Sequence, residues 1–274
     1  MSSESAEAWS TVAAGWARRH EQVSDAMRPV TDRLLAALDP QPGDRVLEIG
    51  SGLGEVGEAI ARLVGSEGEV VVTDVSPAML EAATERIGTL PNLSTRLADA
   101  AETGLEPASF DRAVGRFVVM LVPDPAAGLG ELRRVLRPDG RLAFAVWTTA
   151  PENPWGSTIG QTLLRLGHVE PPEPDSPGPF RLADPERLRS LVLAAGFAEP
   201  ALHIVDITMR YDSPDHYLEV SADLSQSFRA ALERLSDEEA DRLRREVKAA
   251  IEPFTAEGSV ALPGRAWVVA ADAA

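Results

Sequence analysis

Short apolar runs alternate with stretches of helical periodicity over residues 45–148. Such runs are typical of strands buried on both faces, and the periodic stretches are typical of helices that cover a sheet. The alternation predicts an α/β fold with a doubly wound, mostly parallel sheet and right-handed crossovers. The predicted strands are 45–49, 69–74, 93–97, 111–117 and 141–148, and the predicted helices between them are 54–64, 77–87 and 126–136.

The flanking segments predict further elements around this sheet. Two amphipathic helices are expected at 5–20 and 24–38, and capping signals with prolines predict helices at 185–195, 214–232 and 236–251. Strands are expected at 201–210 and at 266–271, the latter at the sheet edge. We therefore expect a single domain, 1–274, which consists of N-terminal cap helices (1–40), a core (41–150), a helical lid insertion (151–255) with a core strand near 201–210, and a C-terminal strand (256–274).

The turn after the first predicted strand carries alternating glycines, Gly50, Gly52 and Gly54. Glycine allows a sharp turn and a close approach of the backbone to a ligand. The helix that follows presents free N–H groups and the positive end of its dipole. The second predicted strand ends in Asp74, which is suited to accept hydrogen bonds from ribose hydroxyls. These features predict a site for an adenosine-containing cofactor.

Two motifs overlap on this turn. Residues 52–57 satisfy the dinucleotide motif G-x-G-x-x-G. By itself this motif is only a weak signal for NAD binding. Residues 48–54 satisfy E/D-x-G-x-G-x-G, the motif of S-adenosylmethionine-dependent methyltransferases. Two later segments favour the second: 97–100 (LADA) and 131–142 (ELRRVLRPDGRL), which resembles the family's ELxRVLRPGGRL with Asp139 in place of the first glycine. The chain resembles class I small-molecule methyltransferases, closely over 40–150 and loosely elsewhere.

The resemblance implies a Rossmann-like fold, S-adenosylmethionine as cofactor and S-adenosylhomocysteine as product. Asp74 would bind the ribose, although capping of the next helix is the alternative role. Asp99 would meet the adenine amino group, or be an exposed turn acid. Arg116 would line the methionyl or acceptor site, or form a buried ion pair with Asp111 or Glu131. The implied cofactor-binding residues are Glu48, Gly50, Ser51, Gly52, Gly54, Asp74, Val75, Met79, Asp99, Ala100, Arg116 and Phe117.

The expected reaction is methyl transfer to a small-molecule acceptor, such as a hydroxyl or carbon of a natural product. The alternative is a methyltransferase-like cyclase or pericyclase that acts on a polyene or polyketide without methyl transfer. If an acceptor must lose a proton, a histidine can serve as general base, and His168 and His216 in the lid are the candidates. Aromatic or apolar residues of the lid region are candidates for the acceptor pocket: Trp155, Phe180, Phe197, Met209 and Phe228.

Composition narrows the range of partners. The chain has 274 residues, no cysteine and a formal net charge of −17. Nucleic-acid binding needs clustered basic residues, so we expect no nucleic-acid partner. We also expect no metal site, because acids and histidines are scattered. A secretory signal and an apolar run of membrane-spanning length are both missing from the sequence, which predicts a cytoplasmic protein without a membrane partner. Whether it forms a homodimer is left open.

Overall fold

The computed structural model describes residues 3–274, which form a layered α/β structure around one sheet. The strands are β1 (Arg45–Glu48), β2 (Glu69–Asp74), β3 (Leu93–Leu97), β4 (Phe110–Arg116), β5 (Leu136–Trp147), β6 (Ala201–Tyr211), β7 (Thr255–Ala256) and β8 (Ser259–Asp272). The α-helices are α1 (Ser3–Arg18), α2 (His20–Leu38), α3 (Glu55–Val64), α4 (Pro77–Ile87), α5 (Pro125–Val135), α6 (Pro154–Leu166), α7 (Pro185–Ala194), α8 (Pro214–Leu224), α9 (Gln226–Arg234) and α10 (Asp237–Ile251).

The predicted parallel sheet is confirmed. The strands lie in the order β3-β2-β1-β4-β5-β8-β6, and β7 pairs with β8. β1 to β5 are parallel, with Val46 opposite Val70 on one side and Arg112 on the other. The chain order reverses between β1 and β4, so the carboxyl ends of these strands open a crevice where α/β proteins commonly bind ligands.

The C-terminal strand lies inside the sheet, and the prediction of an edge position was wrong. β8 is antiparallel to both β5 and β6, so β6 forms that edge. The strand is also longer than the predicted 266–271. Residues 259–265 have less apolar character than 266–271, and their strand conformation comes from pairing with β6 rather than from local pattern.

The predicted helix 214–232 is two helices, α8 and α9. Ser225 between them is extended (φ −114°, ψ 111°), and its hydroxyl accepts a hydrogen bond from the backbone N–H of Phe228. A serine that caps a new helix competes with continuation of the old one. The capping box predicted for 236–251 is confirmed, with Ser236 and Glu239 bonded reciprocally.

The N-terminal helices lie over the sheet and are almost continuous, with Arg19 as the junction. α2 packs against β4, β5, β8 and β6, whereas α1 packs against α4 and α8. Hydrogen bonds tie α1 on both sides: Ser10 Oγ lies 2.8 Å from Ser76 Oγ, and Trp16 donates to the Leu224 carbonyl at 3.3 Å. The crevice at the carboxyl ends of the strands is therefore covered.

Candidate functional site: a cavity beneath the N-terminal helices

A cavity of about 330 Å³ lies at the carboxyl ends of β1, β2 and β4, beneath α1 and α2. Its floor is the glycine turn after β1, and its far wall is aromatic. All of the predicted cofactor residues line it except Gly54 and Asp99. The sheet thus brings residues from four separate turns into one space.

The glycine turn takes a left-handed backbone conformation, with φ of 56° at Gly50 and 53° at Gly52. A Cβ at Gly50 would lie 2.4 Å from the Val118 side chain, whereas a Cβ at Gly52 would meet nothing within 4 Å. Gly50 therefore permits close packing, and Gly52 faces open space. Gly54 (φ 73°) caps α3, and its Cβ would meet Ile87, so it shapes the turn from behind the cavity.

Asp74 joins the glycine turn to the start of α4. Its Oδ2 accepts from the Gly52 N–H and its Oδ1 from the Ser76 N–H, each at 2.9 Å. Burial raises the pKa of this carboxyl, against these backbone donors. Ser76 is the N-cap of α4, because its hydroxyl oxygen accepts from the Met79 N–H. Asp74 is therefore not the cap of that helix. Each carboxylate oxygen keeps acceptor capacity for a ligand hydroxyl.

Glu48 is fully buried at the end of β1 and still reaches the cavity wall. Its Oε2 accepts from the Gly57 N–H at 2.7 Å, so it holds the first turn of α3. Burial raises the pKa of Glu48 to about 8, although the charge of Arg116 opposes the rise. The side chain is therefore largely protonated at neutral pH in the protein without ligand.

Val75, Met79 and Ala100 form an apolar side of the cavity next to Asp74. A flat, apolar-faced group such as a purine fits between such side chains. Asp99 does not line the cavity; its Oδ1 accepts from the Ala101 N–H at 2.8 Å and shapes the turn after β3. Its contact with adenine stays a prediction.

The cavity wall contains a polar atom that lacks a partner. Ser51 Oγ is one of the described side-chain atoms that are buried without a hydrogen bond, and Ser51 lines the cavity. Buried polar groups are normally paired, so this atom indicates a polar ligand. Together with the open space at Gly52 and the free acceptor capacity of Asp74, the residues fit a cofactor with ribose and amino-acid parts.

A charged cluster crosses the middle of the cavity. Arg116, at the end of β4, pairs with Glu55 at the start of α3 and donates to Thr31 Oγ1 at 2.7 Å. Glu55 Oε1 lies 2.7 Å from His20 Nε2. Burial tends to raise the pKa of Glu55, but Arg116 and His20 outweigh it and lower the pKa. Arg116 thus forms a partly buried ion pair, and its partner is Glu55 rather than the predicted Asp111 or Glu131.

Asp111 and Glu131, the predicted partners of Arg116, have other ion-pair partners. Arg116 ends β4, whereas Asp111 lies near the start of β4 and Glu131 near the end of α5. Asp111, near the start of β4, pairs with Arg137. Glu131 accepts from the Thr103 N–H at 2.8 Å and pairs with Arg134.

Aromatic rings form the wall beyond this cluster. Phe117 and Trp147 stack with centroids 3.8 Å apart and planes within 6°. Trp155 meets Trp147 at 4.8 Å and an angle of 59°. Phe117 has a φ of 63°, which is unusual for a bulky residue and is typical of functional sites. The rings present a flat, apolar surface to the cavity.

Trp155 is held in place from three sides. Its indole N–H donates to Asn153 Oδ1 at 3.2 Å, and Asn153 is fully buried with bonds to the backbone of Arg265. Tyr217 donates to the Trp155 carbonyl at 3.2 Å. A Cβ at Gly264 would lie 2.8 Å from the indole ring. The aromatic wall is therefore rigid before any ligand binds.

The predicted base candidates do not line the cavity. His216 Nδ1 lies 3.3 Å from Asp212 Oδ2 outside it, and His168 follows the end of α6. Their catalytic role stays a prediction. Among the predicted pocket residues, Trp155 and Met209 line the cavity, whereas Phe180, Phe197 and Phe228 do not. Phe228 is part of the core because α9 turns it inward.

Sequence reasoning missed His20, Glu55 and Trp147 as site residues. A signal existed for two of them. Glu55 follows the glycine motif directly, and Trp147 ends the fifth parallel strand, so both lie at the ligand-binding edge of the sheet. His20 begins α2, which contacts the site through tertiary packing. A local sequence pattern does not predict such a contact.

The comparisons with known proteins agree with this geometry. A family model described as a methyltransferase domain matches residues 47–144. A ubiquinone/menaquinone biosynthesis C-methyltransferase of Coxiella burnetii is 32% identical over 176 residues, 59% of this chain and 69% of the relative. The chain belongs to the class I S-adenosylmethionine-dependent methyltransferases. The cofactor of this methyltransferase family is S-adenosylmethionine.

Several other relatives share a smaller part. Nocamycin O-methyltransferase of Saccharothrix syringae is 39% identical over 122 residues, 43% of this chain and 42% of the relative. The chain spans about half the length of the first curated relatives it matches. The family model covers only residues 47–144, so acceptor choice does not follow from it.

Solved structures show the same methyltransferase fold. An S-adenosylmethionine-dependent methyltransferase from Aquifex aeolicus superposes with a TM-score of 0.51 at 20% identity, over 70% of this chain and 92% of that one. The [4+2]-cyclase SpnF gives 0.51 at 19% identity, over 88% of this chain and 79% of that one. At such identities the likeness shows the fold alone.

Two further properties concern the described part of this methyltransferase. Within residues 3–274, histidines and acids form no group of three that could hold a metal ion. No helix in the same range is long and apolar enough to cross a membrane.

Proposed function

We propose that the protein transfers a methyl group from S-adenosylmethionine to a flat, apolar, hydroxyl-bearing small molecule. One observation carries the proposal: the glycine turn with Asp74 and the stacked rings of Phe117 and Trp147 line the same cavity. A donor held at the first and an acceptor held against the second would meet inside one enclosed space. Bringing two reactants together in a fixed geometry is itself a large part of catalysis.

The residues divide between the two ligands. Asp74, Gly52 and Ser51 would hold the ribose and amino-acid parts of the cofactor, and Val75, Met79 and Ala100 would contact its base. When bound, the cofactor supplies an activated methyl group. Trp16, Met27, Trp147, Trp155 and Met209 would surround the acceptor and exclude water. Water exclusion strengthens the electrostatic effects of the few charged groups inside.

The test uses fused-ring phenols as acceptors, beginning with 1-naphthol. The purified protein is incubated with S-adenosylmethionine and each phenol, and products are measured by mass spectrometry. We expect a product heavier by one CH₂ unit and one S-adenosylhomocysteine per turnover. Mass spectrometry of the protein isolated under native conditions should also show retained S-adenosylmethionine or S-adenosylhomocysteine.

Ring closure without methyl transfer is the contrasting reaction, and it is assayed with a linear polyene in place of the phenol. It would give a product of unchanged mass that forms without added donor. The likeness to a cyclase shows only the fold, so this reaction is a control arm of the test and not a second proposal. Stabilisation of the protein by NAD, with none by S-adenosylhomocysteine, would contradict the cofactor assignment.

A further inference from the structure

We propose that His20, positioned by Glu55, accepts the proton that the acceptor loses during methyl transfer. The inference rests on the proposed function and extends it. Among the described histidines, His20 is the one that lines the cavity. It begins α2 and contacts Glu55, which follows the glycine turn and pairs with Arg116 at the end of β4.

Glu55 determines which ring nitrogen is available. Nε2 lies 2.7 Å from Glu55 Oε1, so Nδ1 is the ring nitrogen that remains to accept a proton. The carboxylate also stabilises the imidazolium that forms on proton uptake, as an acid beside a catalytic histidine commonly does. Arg116 and Ser24 keep Glu55 anionic, and the N-terminus of α3 adds its dipole. Glu55 is thus a positioning residue.

The surroundings of His20 offer it a proton path and few competing bases. Besides Glu55, the other ionisable residues that line the cavity are Glu48, Asp74 and Arg116. Glu48 is committed to the Gly57 N–H, Asp74 to two backbone donors and Arg116 to Glu55 and Thr31. Arg19, the neighbour of His20 in sequence, is bound to Asp223 on α8. The His20 side chain is 22% exposed, so the proton can leave to solvent.

The step balances without a further reactant. A proton passes from the acceptor oxygen to Nδ1 of His20. An electron pair of that oxygen forms the new bond to the methyl carbon, and the pair of the breaking carbon–sulfur bond stays on sulfur.

The closing experiment uses 4-nitrophenol, whose ionised form has its own absorption band. The protein is saturated with S-adenosylhomocysteine and the probe is added at a pH below the probe's pKa. We expect the bound probe to show the phenolate band in the wild type and the neutral band in His20→Gln. Glu55→Gln, which keeps His20, should weaken the phenolate band. His168→Gln and His216→Gln are matched controls and should keep it.

A rate measurement complements the band. His20→Gln should slow methylation of 1-naphthol by about 10²–10⁴-fold, the usual contribution of a general base. It should slow methylation of 4-nitro-1-naphthol far less, because that acceptor is already ionised at neutral pH. A variant that merely distorts the site would slow both acceptors alike.

Several results would overturn the inference: a neutral bound probe in the wild type, a phenolate band that persists in His20→Gln, or failure of the probe to bind. A tenfold loss of S-adenosylhomocysteine affinity in His20→Gln with the band intact would make His20 a cofactor contact instead. Phenol ionised by His20 but never methylated would refute the proposed function, and it would leave His20 only as a base that ionises a bound phenol.

Discussion

The two halves of the cavity are built in different ways. The cofactor half consists of the turns after β1 and β2. Its main contacts lie within residues 48–76, such as Asp74 with Gly52 and Ser76 and Glu48 with Gly57. The acceptor half joins α1, α2, β5, α6, β6 and α8, which lie far apart in the chain. Local turn chemistry can be read from a motif, whereas an assembled wall depends on the whole fold. If the proposed function holds, the cofactor half is common to the family and the acceptor half is specific to this chain.

The largest expected effect tests whether the lid belongs to the core. Phe228→Ala on α9 removes a fully buried ring and should lower the free energy of unfolding by about 3–5 kcal/mol. Phe180→Ala, at a half-buried position, is the control and should cost less than half as much. Chemical denaturation measures both. If both substitutions lower the free energy of unfolding by the same small amount, α9 is not packed as part of the core.

A second change addresses the cofactor half alone. Asp74→Ala removes the acceptor of two backbone N–H bonds and of the expected ribose hydroxyls. S-adenosylhomocysteine affinity should fall by about 1–3 kcal/mol, or roughly 5–150-fold, while phenol binding changes little. Asp99→Ala is the matched control, and calorimetry gives both constants. An equal loss in Asp99→Ala would restore the adenine contact that the resemblance implies.

Glu48 makes the cofactor half sensitive to pH. The unfolded chain releases this proton near pH 4.5, and the folded protein keeps it until about pH 8. Between these values the folded state binds more protons, so stability without ligand should fall as pH rises, by at most about 1.4 kcal/mol per pH unit. Glu48→Gln should flatten this slope and exposed Glu81→Gln should not. Identical slopes in all three proteins would argue against a protonated Glu48.

The smallest expected effect concerns the acceptor half. Gly264→Ala places a methyl group 2.8 Å from both Ile207 and the Trp155 ring. Trp155 must then shift, and we expect the 1-naphthol KM to change by about fivefold, or about 1 kcal/mol, with unchanged S-adenosylhomocysteine affinity. Gly160→Ala on α6 has open space around it and is the control. A change in cofactor affinity would show that the two halves are coupled.

Prediction from sequence succeeded where a local pattern carries the information. The parallel strands, the glycine turn and Asp74 at the tip of β2 follow from periodicity and backbone geometry. The position of β8 could not be predicted, because an apolar strand pairs equally well at an edge or between two strands. The break at Ser225 also escaped, since a serine in a helical pattern signals either a cap or a tolerated interior residue.

The acceptor half was predicted only in fragments. Trp155 and Met209 were among the candidates, yet so were Phe180, Phe197 and Phe228, which lie elsewhere. Apolar residues look alike in sequence whether they fill a core or line a pocket. His168 and His216 are predicted as bases because the resemblance places acceptor contacts in the lid; they do not line the cavity, whereas His20 does.

The placement of β8 has a consequence for the order in which the molecule can form. β6 is hydrogen-bonded to the rest of the sheet only through β8 within the described residues, although β6 precedes β8 in the chain. During synthesis the five parallel strands can assemble early, while β6 waits for residues 259–272 to leave the ribosome. During translation, a nascent chain can therefore form the turns after β1 and β2 before β6 and β8 complete the wall of the cavity.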